Sequence, residues 1–183
     1  MMIHDQFSQA VKRAVVLFTL IGSLSLAGAC KKASDKLEEF TTLRINSTTQ
    51  FSIPPSIPVE TLFSFVTPPT RNPNSSTNLL INRASLEKVT LTITNPDGQT
   101  FRFVKSIRFF LQADGLPEVE VANRLNIDDS VGATLELDVT NAELKQYIKK
   151  ETFRLRTELV TDEVTTQKVD LKADLGFALV ILG

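Results

Sequence analysis

The residue with the most distinctive chemistry in this chain is Cys30, the only cysteine among 183 residues. The thiolate form of cysteine is a nucleophile, so a lone cysteine is a candidate for covalent modification. Cys30 directly follows small residues at positions 27–29, which end an uncharged run that begins at residue 14. Lys12 and Arg13 precede that run. Basic residues, an apolar run and small residues in this order are typical of an export signal with its cleavage site.

The segment Leu26-Ala27-Gly28-Ala29-Cys30 resembles the cleavage region of bacterial lipoprotein signal peptides. The resemblance implies a diacylglycerol on the Cys30 sulfur, cleavage before that residue and acylation of the new amino group. Residues 1–29 would then be the signal peptide, and the polar residues 30–39 a lipidated tether. In some bacteria an Asp after the cysteine favours retention in the inner membrane, and this chain has Lys31 there. We therefore expect the protein in the bacterial cell envelope, lipid-anchored at the outer membrane.

Two other interpretations of the first thirty residues remain open. The apolar run of residues 14–29 would form a helix about 24 Å long, whereas a bilayer core is about 30 Å thick. A permanent transmembrane helix would therefore be short. An ordinary secretory cut near Ala29 would instead leave Cys30 as a free thiol.

The composition of the expected mature chain excludes several classes of protein. The single histidine, His4, lies in the expected leader, and Cys30 is the lone cysteine. Catalysis by Ser-His-Asp or Cys-His, and the usual zinc and haem sites, therefore lack their residues. Removing Lys12, Arg13 and Asp5 leaves 18 basic (20 − 2) and 20 acidic (21 − 1) residues, a charge that does not attract nucleic acid. We expect no enzyme, no cofactor, no metal and no nucleic-acid partner.

Carboxylates are the remaining candidates for catalysis or metal binding. Glu118 and Glu120 are expected on one strand face, about 7 Å apart, a separation at which paired carboxylates can hydrolyse glycosides. Alternating acidic residues are also typical of a solvated strand face, which is the interpretation we favour. Four oxygen-bearing residues could offer ligands for calcium, but their spacing lacks the usual calcium-loop pattern. We therefore expect turns or helix caps there instead. These four residues are Asp114, Asn126, Asp128 and Asp129.

From residue 41 onward, apolar and polar residues alternate with a period of two, which predicts half-buried strands. About eight short strands with one helix favour an all-β domain over residues 40–183, an antiparallel Greek-key β-sandwich of Ig-like architecture. A closed β-barrel is the alternative. The alternating apolar positions are Leu43, Ile45, Phe51, Ile53, Val89, Leu91, Ile93, Ile107, Phe109, Leu111, Ala113, Val119, Val121, Ala133, Leu135, Leu137, Val139, Phe153, Leu155, Leu159 and every second residue from Val169 to Ile181.

Turn and helix patterns predict how some strands connect. The turn sequence at residues 95–98, Asn-Pro-Asp-Gly, lies between apolar runs and predicts a hairpin over residues 87–104. A capping box at Thr140–Glu143 predicts the start of a helix whose buried face carries Leu144, Tyr147 and Ile148.

Two segments depart from simple alternation. Residues 54–78 contain six prolines; a short strand is expected within residues 59–66, and an exposed loop at residues 72–78. Residues 177–182 are apolar on both parities, which predicts a terminal strand buried on both sides. If that strand were exposed, it would be the best candidate for an assembly surface.

These patterns together favour a non-catalytic function. We expect an envelope-anchored binding or assembly module whose partner is a protein or a glycan. A carbohydrate-binding face is disfavoured because the chain has no tryptophan and one tyrosine. The alternative is a β-barrel carrier that encloses an apolar ligand, which would require a cavity of at least about 300 Å³.

Overall fold

A computed structural model describes residues 40–72 and 80–182 of the chain. The expected signal peptide, Cys30, the tether and most of the expected loop at residues 72–78 lie outside the described residues. Within these two ranges, no helix reaches the length and apolar character that crossing a membrane requires.

The described residues form nine strands and one short α-helix, and Phe101–Phe103 form a single 3-10 turn. The helix α1 spans Lys145–Ile148. The strands are β1 (Phe40–Ile53), β2 (Leu62–Val66), β3 (Thr70–Arg71), β4 (Ile81–Asn95), β5 (Val104–Gln112), β6 (Val119–Arg124), β7 (Thr134–Val139), β8 (Thr152–Thr161) and β9 (Val169–Leu182).

All strand pairs are antiparallel, and they run in the order β1-β9-β4-β7-β6-β5-β8-β2, with β3 also on β8. The path curls, so that its first four strands form one sheet and its last four form a second sheet facing the first. Two residue pairs between β6 and β7 join the halves. The predicted all-β sandwich is confirmed, and this strand order is that of a jelly roll, which consists of two Greek keys.

The two ends of the strand path meet through side chains. Among the described residues no backbone ladder joins β1 to β2, so the curled sheet is a half-barrel rather than a closed barrel. The Phe51 and Phe65 rings lie 5.3 Å apart across this seam. The Thr70 hydroxyl donates a hydrogen bond of 3.2 Å to the Thr49 hydroxyl beside them.

The core lies between the two sheets and contains most of the alternating apolar positions. Phe109 and Phe153 of the second sheet are fully buried. They pack edge-on against Phe51 and Phe177 of the first sheet, at ring separations of 6.0 and 6.3 Å. Alternation therefore predicted correctly which side of each strand faces inward, because successive side chains must point to opposite faces.

The predicted hairpin over residues 87–104 is wrong. The turn itself forms, with Gly98 at a φ of +76°, a conformation that glycine adopts without steric cost. Phe101 and Phe103 lie in the 3-10 turn, and β5 then pairs with β6 and β8 of the second sheet instead of β4. The turn carries the chain from one sheet to the other, which a local pattern cannot distinguish from a hairpin.

The predicted capping box does not form, although the predicted buried helix face does. Helix α1 begins after Leu144 without a side-chain cap. The Thr140 hydroxyl instead donates to the Glu120 carbonyl at 2.8 Å. Glu143 accepts the backbone N–H of Ala84 at 2.9 Å. Tertiary contacts with β4 and β6 therefore engage both groups, although the Glu143 oxygen also accepts the backbone N–H of Lys145, the first residue of α1, at 2.9 Å.

The two unusual segments behave only in part as predicted. Asn72, the one described residue of the expected exposed loop, is 1% exposed because its side chain donates to the Ile148 carbonyl. The short strand among the prolines is β2. β9 lies between β1 and β4 in the strand order, and Phe177 and Leu179 are 2% and 0% exposed, which confirms a buried strand there. The last three residues of β9 are only partly buried.

Candidate functional site

The two candidate carboxylates at the start of β6 have different partners. Glu118 accepts two hydrogen bonds from Arg156, from Nε at 2.8 Å and from a terminal nitrogen at 2.6 Å. It also accepts one from Gln112 at 2.6 Å. Glu120 accepts one from Asn123 at 2.8 Å. Each carboxylate is thus engaged by its own neighbour, and the two do not act as a pair.

Arg156 of β8 is the centre of a compact group of charged and aromatic side chains. Its second terminal nitrogen lies 2.6 Å from Glu158, and its guanidinium lies 4.1 Å from the centre of the Phe110 ring. The side chains of Arg156, Glu118 and Glu158 are 22%, 30% and 20% exposed. We call Phe110, Glu118, Arg156 and Glu158 the Arg156 cluster; it lies on the outer face of the second sheet.

Hydrogen bonds within the cluster set the protonation of its members. The bonds from Arg156 hold the pKa of Glu118 below its usual value. Hydrogen bonds to Glu118 and Glu158 raise the pKa of Arg156. A carboxylate with a lowered pKa is a poor proton donor near neutral pH. The arrangement suits a rigid, preorganised surface better than proton transfer.

Exposed aliphatic side chains flank this cluster on β2. Leu62 and Val66 are 59% and 48% exposed. Val66 is the register partner of Arg156, and Leu62 that of Val160, so the side chains share one face. We call Leu62, Val66 and the Arg156 cluster the docking strip.

The docking strip combines some residue types found in protein interfaces. An aromatic ring and an arginine are enriched in interface cores, whereas glutamates such as Glu118 and Glu158 are depleted there. The sequence predicts a short strand here but not the strip, because β2 pairs with residues about a hundred positions later in the chain. A usable pattern was present: apolar residues occur on both parities of β2, so some of them must face outward.

The four residues considered as calcium ligands do not form one binding site. Asp128 accepts the backbone N–H of Ser130 at 2.8 Å. Hydrogen bonds from the Ser130 side chain and, secondarily, from this N–H hold the pKa of Asp128 below its usual value. Asp114 lies 3.4 Å from Arg154. Within the described residues, no group of three or more His, Cys, Asp or Glu side chains could hold a metal ion. For Asp128, the predicted role in a turn is confirmed.

The outer face of the first sheet is polar and carries open depressions. One of them lies over Gly176 and is lined by Asn46, Lys88, Thr90 and Asp174. A Cβ at Gly176 would lie 3.5 Å from the Asn46 side-chain oxygen, an ordinary contact distance, so packing does not require the glycine. The depression has no aromatic ring on which a sugar could stack.

Comparison with known proteins gives no family for this chain. No family model matches it, and no curated protein does. Among solved structures, it is similar to the decameric BFDV capsid protein with 10% identity over 78% of this chain and 99% of that one, at a TM-score of 0.39. It is similar to FLHE with 9% identity over 78% and 98%, at a TM-score of 0.32. It is also similar to Desmodium yellow mottle tymovirus with 12% identity over 90% and 97%, at a TM-score of 0.30. TM-scores this low do not indicate a shared fold or function.

Proposed function

We propose that this chain is a lipoprotein of the bacterial envelope whose β-sandwich is a non-catalytic module that binds a protein partner. Residues 1–29 are its signal peptide, Cys30 carries the lipid, and residues 30–39 tether the domain to the outer membrane. The order of Lys12, Arg13, the apolar run and Cys30 supports the anchor. Two or more acyl chains would hold the protein stably on a membrane.

The docking strip is the main support for the proposed binding function. An exposed Leu62 and Val66 beside a fixed arginine form a surface that loses little side-chain entropy on binding, because Arg156 is already held by two carboxylates. Ordering a free side chain at an interface costs about 0.5–1.5 kcal/mol. A prearranged Arg156 avoids much of that cost.

A protein partner fits this strip better than a glycan does. Sugar rings commonly stack on tryptophan or tyrosine, and the chain has no tryptophan. Its one tyrosine, Tyr147, is buried, and its hydroxyl donates to the Pro117 carbonyl. Aliphatic side chains such as Leu62 offer a sugar no hydrogen bonds.

The alternative function, a carrier of an apolar ligand, finds no support in the core. Such a carrier needs an enclosed apolar space of at least about 300 Å³. The space between the two sheets is filled by fully buried side chains, among them Phe101, Phe109, Phe153 and Phe177. The depressions on the first sheet are open to solvent and do not enclose a ligand.

The anchor is tested by replacing Cys30. Cys30→Ser removes the sulfur that would carry the lipid, so we expect an unprocessed precursor or a chain released from the membrane fraction. Intact mass measurement of the wild-type protein should show a lipidated amino terminus at Cys30. An unmodified thiol, or unchanged processing and fractionation of the variant, would refute the anchor.

The docking strip is tested by in-cell cross-linking followed by mass spectrometry. The double variant Leu62→Ser and Val66→Ser should lose the partner that the wild type captures. The matched control is Leu125→Ser with Val164→Ser, at residues that are 46% and 57% exposed outside the strip. Equal capture by all three proteins would refute the assignment of binding to this surface.

A further inference from the structure

One end of the first sheet is apolar and exposed. The ends of β1 and β9 pair Phe40 with Leu182, and the backbone N–H of Leu182 donates to the Leu80 carbonyl at 3.1 Å. These three residues therefore form a row across the end of the sheet. We call the following six residues the apolar tip: Phe40, Leu43, Leu80, Val180, Ile181 and Leu182.

The tip brings several exposed apolar side chains together. Leu80, Phe40 and Leu43 are 69%, 49% and 37% exposed, and the three residues of β9 are partly buried. By strand alternation, Phe40 and Leu182 lie on the outer face of the sheet, whereas Leu43 and Ile181 lie on its inner face. On the inner face, Ile181 packs against the core and its register partner Ile81 is 6% exposed. The exposed apolar side chains of the tip therefore lie mainly on the outer face.

Unequal strand lengths explain this exposure. β1, β4 and β9 have 14, 15 and 14 residues, whereas β5 and β8 of the second sheet have nine and ten. The long strands extend beyond the strands that face them. Leu144, which directly precedes helix α1, contacts β4 at Ala84, whose carbonyl accepts the Leu144 N–H at 2.8 Å.

The charged residues that border the tip are arranged as ion pairs. Arg44 lies 2.8 Å from Glu87, and Arg83 lies 3.6 Å from Glu143. Among the described residues, each of these two pairs balances its own charge. Apolar side chains bordered by paired charges suit the boundary between the acyl chains and the headgroups of a membrane.

We propose that the apolar tip inserts shallowly into the membrane surface, at the boundary between headgroups and acyl chains. This inference rests on the proposed lipid anchor. Cys30 precedes Phe40 by ten residues, so at full extension the chain holds the two within about 36 Å. The tip begins at Phe40, the residue of the described domain that is closest in sequence to the anchor. Insertion would fix the orientation of the docking strip relative to the membrane.

A second copy of the chain fits the tip less well than lipid does. A stable protein interface takes about 20–30 residues from each partner, whereas the tip has six. The exposed side chains of the tip project at the end of a sheet. A lipid surface can cover them without a complementary protein face.

The absence of tryptophan from the sequence allows a direct test. Leu80→Trp puts the only tryptophan of the full lipidated protein at the tip, and Val164→Trp puts one at another exposed position. Both proteins are reconstituted into vesicles of phosphatidylethanolamine and phosphatidylglycerol, with and without bromine atoms on the acyl chains. For Leu80→Trp we expect emission at shorter wavelength and its loss on brominated lipid; for Val164→Trp we expect neither.

The possible outcomes distinguish a failure of membrane insertion from a failure of the lipid anchor. Vesicle-bound, lipidated Leu80→Trp protein with emission unchanged by bromine would refute insertion while leaving the anchor intact. Emission at shorter wavelength without quenching, together with concentration-dependent cross-linking, would show that protein covers the tip and would also refute insertion. An unlipidated Cys30 by mass measurement would refute the anchor itself. Circular dichroism of both variants verifies that the fold is kept.

Discussion

Replacing Thr157 by valine should stabilise this protein. Thr157 lies on the inner face of β8, where its register partners are Phe65 of β2 and Phe109 of β5. It is 0% exposed, and its hydroxyl has no hydrogen-bond partner among the described residues. Valine has nearly the same shape and replaces the hydroxyl with a methyl group, so the core need not rearrange.

The expected gain follows from the cost of the buried hydroxyl. Leaving a buried polar group without a partner costs about 1–3 kcal/mol. A buried methyl group adds stabilisation of about 0.8 kcal/mol. Allowing for a partial loss of packing, we expect the free energy of unfolding to rise by at least about 1 kcal/mol. For a domain of this size that raises the melting temperature by about 3–4 °C.

Thr67 supplies the matched control. It is 3% exposed, and its hydroxyl accepts the backbone N–H of Leu155 at 3.0 Å. Thr67→Val makes the same chemical change but leaves that N–H unpaired, which should lower stability by about 1–3 kcal/mol. The same substitution should therefore have opposite signs at two buried positions.

Urea denaturation followed by far-ultraviolet circular dichroism measures both effects on protein that lacks the leader. The midpoint should move to higher urea for Thr157→Val and to lower urea for Thr67→Val, with the slope unchanged. If Thr157→Val lowers the midpoint as Thr67→Val does, the Thr157 hydroxyl has a partner such as a buried water. The reasoning from an unpaired core hydroxyl would then be refuted.

Three further substitutions test the ion pair, the core and the helix. Glu118→Gln should cost about 1 kcal/mol at pH 7, because Arg156 loses a two-bond charged partner. Arg156 holds the pKa of Glu118 below its usual value, so this contribution is complete above the ordinary pKa of about 4.3 and is lost as pH falls through the lowered pKa. Urea denaturation should therefore separate the variant from wild type at pH 7 but not in acid, and equal stability at pH 7 would contradict the ion pair. Phe109→Ala should lower the unfolding free energy by about 3–5 kcal/mol by opening a cavity; a loss below about 1 kcal/mol would mean that the core is loosely filled. Asn72 is buried and donates to the Ile148 carbonyl at 2.7 Å, so Asn72→Ala should cost about 1–3 kcal/mol in thermal unfolding, and an unchanged melting temperature would exclude that role.

Local patterns were sufficient to predict which side chains face the core. Leu91 and Leu155 are each followed two positions later by another inward-facing residue, and both are 0% exposed. The period of two arises within each strand, so neighbouring residues suffice to reveal it. The same holds for Leu144 and Ile148, which are buried on the predicted face of helix α1 although the predicted cap is absent.

Contacts distant in sequence decided the candidate surfaces. Glu118 and Arg156 are 38 residues apart, and only the pairing of β5 with both β6 and β8 brings them together. The free energy of such a pairing depends on the whole ladder, so no short segment specifies it. For the same reason the turn at residues 95–98 was predicted as a hairpin, whereas it carries the chain to the opposite sheet.

The sequence by itself determined the inward side of each strand and the single cysteine on which the proposed anchor depends. Tertiary structure alone decided the jelly-roll strand order, the Arg156 cluster and the exposure of the apolar tip. Leu43 shows the difference: its place in the alternation predicts burial, yet it is 37% exposed, because the strands that face β1 are shorter than β1 itself. Alternation sets the direction of a side chain, whereas burial also requires another part of the chain to lie opposite.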